Sequence, residues 1–190
     1  MSHSIPVFFF PISDDELPVQ LNSWYSVESL LSEKWENREQ NGFRTSTSRN
    51  WWHQHAIGLI SEHLQIDALD FLQKEIICLD RQQIEASVKA IDKLLTLCQS
   101  GIPELAPEME QEGSIWFLRN YYEGKSKKKF SVSQIEKAYA ESRAVSEIEG
   151  LTDNGYDLLV GFFSFLKSLR ASLQECLSQN RKLLYVQPQP

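Results

Sequence analysis

The chain of 190 residues is 42% apolar and 24% charged, and its formal net charge at pH 7 is −7. This length and composition predict one globular domain over residues 1–190, because disordered chains are poorer in apolar and aromatic side chains. The negative charge disfavours nucleic acid and anionic membrane surfaces as partners, since the field of the whole protein repels polyanions. No stretch approaches the roughly 18 apolar residues of a membrane span, so we expect a cytoplasmic protein without membrane contact.

Two apolar segments near the ends of the sequence have the composition of β-strands. Residues 7–10 read Val-Phe-Phe-Phe and residues 183–186 read Leu-Leu-Tyr-Val, and both segments are rich in residue types that favour strands. They are candidates to pair in a minimal sheet. Between them the apolar pattern is helical, and helices are predicted over residues 23–40, 51–64 and 107–123.

Three further helices begin at recognisable N-caps. Asp80 is followed three residues later by Gln83, and Ser131 by Gln134, so each pair can form a capping box with the backbone N–H groups. The first of these helices should end near residue 100, and the second should run to residue 150. Asp67 is the N-cap of a third, short helix that is predicted to continue to residue 79.

The longest predicted helix covers residues 152–180. Its apolar residues recur every three or four positions, which places them on one helical face, and a wider set suggests contact with the core on more than one side. The stripe comprises Leu159, Phe162, Leu166, Leu169, Leu173 and Cys176. The predicted fold is therefore mainly α: an irregular bundle of about six or seven helices around this long C-terminal helix, with the terminal strand pair as an optional addition.

The cysteine and histidine residues form no recognisable disulfide or metal motif. Cys78, Cys98 and Cys176 are odd in number and widely spaced, and we expect them to be reduced core residues. His55 and His63 are eight residues apart in one predicted helix, about 12 Å along its axis, and cannot share a zinc ion. The sequence therefore predicts no metal and no cofactor, and it lacks phosphate-loop, dinucleotide and nucleophile motifs.

The segment 44–49 is a candidate anion site. It reads Arg-Thr-Ser-Thr-Ser-Arg and directly precedes the helix predicted from Trp51. Guanidinium groups, hydroxyl groups and the free N–H groups of a helix start suit a phosphate or carboxylate. The candidate site residues are Arg44, Ser46, Ser48 and Arg49, and the alternative interpretation is a polar connector.

A second basic segment contains four lysines in five residues, namely Lys125, Lys127, Lys128 and Lys129. These side chains could contact phosphates as flexible point charges. No aromatic residue is interleaved with them, which weakens a single-strand nucleic-acid interpretation. The alternative is a solvated connection between two helices.

By elimination, the sequence favours a non-catalytic interaction or regulatory protein, with another protein or a second copy of the chain as its partner. The motifs do not favour an enzyme, although catalytic residues from distant positions would escape a motif search. Two alternatives remain. The chain could bind a small anion or phosphoester through segment 44–49, or it could contact nucleic acid through residues 125–129.

Overall fold

The computed structural model describes residues 7–21, 24–46, 50–63, 65–99, 131–145, 147–148 and 155–187. The chain is mainly α-helical, as predicted. Its described helices are α1 (Glu28–Glu36), α2 (Asn50–His63), α3 (Arg81–Gln99), α4 (Val132–Glu141) and α5 (Gly155–Gln179). Its strands are β1 (Val7–Ile12), β2 (Arg44–Ser46), β3 (Ile76–Leu79), β4 (Glu147–Ile148) and β5 (Lys182–Val186), and 3-10 turns cover Trp24–Ser26 and Asp67–Gln73.

A five-stranded sheet in the order β3-β5-β1-β2-β4 replaces the minimal strand pair of the sequence prediction. The two terminal strands do pair, antiparallel, with Phe9 opposite Tyr185. They lie at the centre of the sheet, because β3 pairs antiparallel with β5 and β2 pairs antiparallel with β1. Strand β4 joins the far edge in parallel with β2. The prediction missed β2, β3 and β4, which are two to four residues long and carry little periodic signal.

The central strands are buried on both faces. Alternate residues of a strand point to opposite sides of a sheet, and here Phe9 and Tyr185 belong to the inner core while Phe10 and Leu184 belong to the outer core. The inner core lies between the sheet and helices α2 to α5. The smaller outer core lies between the sheet and the segment that contains α1. This two-sided burial explains why β1 and β5 are almost continuously apolar.

Helix α5 is the main packing partner in the inner core. It contacts α2, α3, α4 and β1, so it faces the core on more than one side as the widened apolar stripe predicts. Its core residues are all fully buried and include Leu159, Phe162, Phe163, Phe165, Leu166, Leu169, Leu173 and Cys176. The sequence predicts helices packed around this one, whereas in the structure one side of α5 also covers the sheet.

Two of the three predicted N-caps are present, as capping boxes, whereas the turn that starts at Asp67 has Ile66 at its N-cap position and no side-chain cap bond. Asp80 Oδ1 accepts a hydrogen bond from the Gln83 N–H at 2.9 Å, and Gln83 Oε1 accepts one from the Asp80 N–H at 2.9 Å. Ser131 Oγ accepts from the Gln134 N–H at 3.3 Å, and Gln134 Oε1 accepts from the Ser131 N–H at 2.9 Å. These bonds satisfy N–H groups that a helix start leaves free, and they fix the beginnings of α3 and α4.

Three predicted helices are shorter in the structure. The helix predicted over 131–150 ends at Glu141, and residues 147–148 form β4. The helix predicted over 67–79 ends at Gln73, because the apolar residues that follow join the sheet as β3. Residues 23–40 contain one 3-10 turn and the nine-residue α1. The helix predicted over 107–123 lies outside the described residues.

A buried polar contact connects helix α2 to the sheet. Gln54 Nε2 of α2 donates a hydrogen bond to the Tyr185 hydroxyl of β5, and both side chains are almost fully buried. The Tyr185 hydroxyl in turn donates to the carbonyl of Leu72 at 3.4 Å. Because a buried polar group without a partner is costly, this contact favours one alignment of α2 and the turn 67–73 on the sheet.

We expect Phe162→Ala to lower the free energy of unfolding by about 3 to 5 kcal/mol, because a large, fully buried ring would leave a cavity. Urea denaturation measures this loss. Ser178→Ala on the exposed part of the same helix is the control and should change stability by no more than about 0.5 kcal/mol. A loss below about 1 kcal/mol for Phe162→Ala would mean that α5 does not pack on a closed core.

Candidate functional site

Arg44 lies on β2, and its charge is balanced inside the chain. Its Nη2 is 3.6 Å from Glu175 Oε2 of α5, and its side chain is only 19% exposed. Glu175 also lies close to Gly42, whose φ is +61° and where an added Cβ would come within 2.6 Å of Glu175 Oε1. Glycine at this position therefore provides both the left-handed backbone and the space for the carboxylate that faces Arg44.

The structure describes only part of the predicted anion site. Ser46 ends strand β2, so residues 44–46 form a sheet strand rather than a connector. Ser48 and Arg49 lie outside the described residues, and the convergence of two guanidinium groups stays a prediction. The basic residues Lys125, Lys127, Lys128 and Lys129 also lie outside the described residues, so a nucleic-acid contact there stays a prediction as well.

The two described histidine side chains of α2 have different surroundings. His55 is exposed, whereas His53 is 1% exposed and lies beside the rings of Phe162 and Phe165, with centroid distances of 6.2 and 6.4 Å. Burial lowers the pKa of His53 to about 3, so its imidazole is neutral near pH 7. Within the described residues, no three His, Cys, Asp or Glu side chains are placed to hold a metal ion.

The described thiols are those of Cys78 and Cys176, and both are free. Burial raises the pKa of Cys78 to about 11 and that of Cys176 to about 12. Both groups are therefore protonated and weakly nucleophilic near pH 7, which agrees with reduced, packed cysteines. The Cys98 side chain lies outside the described residues.

The segment 13–40 covers the outer face of the sheet and is called the outer layer below. It contributes Val27 and Leu31 to the outer core. The outer layer contains seven carboxylates and only two cations, so it holds a formal charge of −5 out of the −7 of the whole chain. It also contains the large apolar side chains that are exposed among the described residues, which are Val19, Tyr25 and Trp35.

The two cations of the outer layer contact other residues of the same layer. Lys34 is 7% exposed, and its ammonium group donates to Glu16 Oε1. Glu16 Oε2 accepts hydrogen bonds from the Ser13 N–H at 2.9 Å and the Ser13 hydroxyl at 2.7 Å. Burial raises the pKa of Glu16, but the bonds from Lys34 and Ser13 outweigh it and lower that pKa to about 2. Arg38 lies over the Trp35 ring, with its Cζ 4.7 Å from the ring centroid.

Helix α1 turns an acidic face to solvent. Leu31 and Lys34 are buried beneath the helix, and Leu30 is half-buried. The exposed residues on the opposite side are Glu28, Ser29, Ser32, Glu33, Trp35 and Glu36. Trp35 lies at the border of this acidic face and makes an edge contact with Phe43, with 5.8 Å between ring centroids. The result is an acidic helical surface with a fixed, partly exposed indole beside it.

No protein-family model, no curated protein sequence and no solved structure matches the chain. Among the described helices, none combines the length and the apolar character needed to cross a membrane.

We expect Glu16→Gln to destabilise the protein more than Asp14→Asn. Glu16→Gln leaves the buried Lys34 ammonium without its countercharge and should cost about 1 to 3 kcal/mol. Asp14 pairs with Lys182, but its side chain is 75% exposed. Asp14→Asn, which also removes one carboxylate, should therefore lower the free energy of unfolding by less than about 1 kcal/mol. Chemical denaturation of both variants at pH 7 gives the comparison, and equal losses would show that the Glu16 pair contributes no more than a surface ion pair.

We expect His53 to make the protein less stable as the pH falls from about 6.5 towards about 3. The folded state keeps His53 neutral in this range while the unfolded state takes up a proton, so the stability is complete above pH 6.5 and decreases below it. Between pH 7 and pH 5 the loss should be about 2 kcal/mol. The free energy of unfolding, measured by denaturation at several pH values, should decrease less with falling pH in His53→Leu than in the unmodified protein. An unchanged pH dependence would show that His53 is not the responsible group.

Proposed function

We propose that the chain is a non-catalytic interaction protein, and that it binds a basic, partly apolar segment of a partner protein through the outer layer. The observation that carries this proposal is the concentration of charge on that layer. The outer layer holds −5 of the net charge of −7 in 28 residues, and its two cations contact Glu16 and Trp35. The exposed carboxylates of α1 are therefore available to an external cation.

The exposed aromatic residues of the outer layer support a protein partner in particular. Trp35 is 41% exposed while its ring contacts Phe43 and Arg38, so its exposed area is presented in a fixed orientation. Tyr25, which is 83% exposed, precedes the same helix. Tryptophan and tyrosine are enriched among the residues that dominate binding energy at protein interfaces, because they supply large areas at a low entropic cost.

Charge complementarity defines the chemistry of the partner. Glu28 and Glu36 are about 12 Å apart along α1, a distance that two turns of a partner helix would span. Lysine or arginine residues at such a spacing would face the acidic side of α1, while an apolar side chain between them would contact Trp35. Such long-range complementarity raises the association rate and selects against acidic partners.

The small-anion alternative has less support from the described residues. It requires Arg44 to be directed at a ligand, whereas Arg44 faces Glu175 at 3.6 Å. A carboxylate at this distance already balances the guanidinium charge and would repel an incoming anion. The alternative would regain support if Arg49, outside the described residues, bound an anion without Arg44.

The test uses a synthetic helical peptide with lysine on one face and leucine on the other, and a counterpart with glutamate in place of lysine. Titration calorimetry at low salt should show binding of the lysine peptide only. Glu28→Lys/Glu33→Lys/Glu36→Lys should weaken binding by about tenfold or more, since three attractive charges become repulsive. Trp35→Ala should weaken it further by removing the aromatic contact.

The matched control is Glu62→Lys/Glu85→Lys/Glu136→Lys, which changes the net charge by the same amount at exposed positions of α2, α3 and α4. This control should retain most of the binding if the outer layer is the docking surface. Equal losses in the two triple variants would contradict the proposal, because binding would then follow the total charge rather than the acidic face of α1. Circular dichroism of each variant verifies that the helical content is unchanged.

A further inference from the structure

A cleft lies between α3, α4 and α5, away from the outer layer. Its volume is about 620 Å³, within the range of roughly 300 to 1,000 Å³ of small-molecule sites. The described residues that line it include Asp92, Tyr139, Lys167 and Arg170, and the rest of the wall is formed by Leu95, Thr96, Ala144, Ala171 and Gln174. The cleft thus combines cationic groups with a few apolar side chains.

Lys167 has no carboxylate partner among the described residues. Its ammonium group donates hydrogen bonds to the carbonyls of Tyr139 at 2.7 Å and Ser142 at 3.0 Å, and it lies 4.1 Å from the centroid of the Tyr139 ring. These neutral groups orient the ammonium at the end of α4 but do not cancel its charge. Desolvation lowers the pKa of Lys167, as expected for a cation without an anionic partner.

Arg170 differs from Lys167, because its charge is already balanced. Its Nε donates to Asp92 Oδ1, and its Nη1 donates to Gln174 Oε1 at 3.0 Å. With the Arg170 and Asp92 charges cancelling, the charged groups that line the cleft sum to one positive charge, on Lys167. A ligand with a single negative charge would neutralise the cleft, whereas a dianion would leave an excess negative charge.

The apolar side chains of the cleft favour a ligand that has an apolar body. Leu95 is 7% exposed, and the Tyr139 ring stands over the same cleft as Lys167. Ala144 and Ala171 leave space where larger side chains would fill the cleft. A hydrated inorganic ion would leave these surfaces without a partner, whereas an apolar or aromatic ligand body would cover them.

From this geometry we propose that the cleft between α3, α4 and α5 binds a small organic monoanion. Its carboxylate accepts a hydrogen bond from the Lys167 ammonium, and its apolar body lies on Leu95, Ala171 and the Tyr139 ring. Arg170 and Asp92 form the polar rim. This site is separate from the proposed docking of a basic protein segment on the outer layer, and each can be tested without the other.

The probe is benzoate, with benzamide as a neutral molecule of the same shape and inorganic phosphate as an anion without an apolar body. Titration of the full chain, followed by NMR chemical shifts, should show saturable binding of benzoate at millimolar concentration. Benzamide and phosphate should bind about tenfold more weakly or not at all, since each lacks one of the two contacts. Equal binding of benzoate and benzamide, tighter binding of phosphate, or no binding of benzoate would overturn the proposal.

Four variants locate the site. Ala171→Leu fills the cleft without altering Lys167 and should abolish benzoate binding, whereas Lys89→Met removes an exposed lysine of α3 and should leave it unchanged. Lys167→Arg keeps the charge and should retain binding better than Lys167→Met, which is expected to weaken it about tenfold. If Lys167→Met does not fold, Ala171→Leu and Lys167→Arg still decide the question. Retained benzoate binding in Ala171→Leu, or its loss in Lys89→Met, would contradict this location.

Discussion

The antiparallel pairing of β1 with β5 is the contact on which the rest of the fold depends. It joins residues near the two ends of the described chain, with Phe9 opposite Tyr185, and it forms the centre of the sheet. The pair separates two cores, since α5 packs on one face and the outer layer on the other. Strands β2 and β3 are short, and each pairs with one strand of this pair. Without the pair, the two cores would lose the sheet that lies between them.

Much of the helical structure could be predicted from the sequence, because local chemistry determines it. The capping boxes at Asp80 and Ser131 and the apolar stripe of α5 are interactions between residues three or four positions apart. The sheet could be predicted only in part. Strand β3 follows a helical start at Asp67 without a break, and only its pairing with β5, more than 100 residues later, makes it a strand. The end of α4 likewise depends on a distant residue, since Lys167 binds the carbonyls of Tyr139 and Ser142.

The candidate sites were harder to predict than the fold, because a site depends on how charges are paired in space. The sequence predicts Arg44 as an anion ligand, yet its guanidinium faces Glu175, which is 131 positions away. In the sequence Lys167 is one cation within a long helix, and only folding places it in a cleft where the described carboxylate, Asp92, is bound by Arg170. The acidic character of residues 13–40 is evident from the sequence. Their common location on one side of the sheet was not, because β1, β2 and β5 had to be placed first.

The position of β5 in the chain also has a consequence for how the protein is made. Phe9 leaves the ribosome long before Tyr185 has been translated, and β1 has no central partner during that interval. While α1, α2 and α3 emerge and acquire local structure, the apolar residues of β1 lack their contacts with β5, unless other molecules shield them. Closing a loop of this length is a slow, entropically costly event, so the β1–β5 pair should form late. Nascent chains stalled before residue 182 would then expose the apolar β1 strand and be prone to aggregate, whereas the released chain would not.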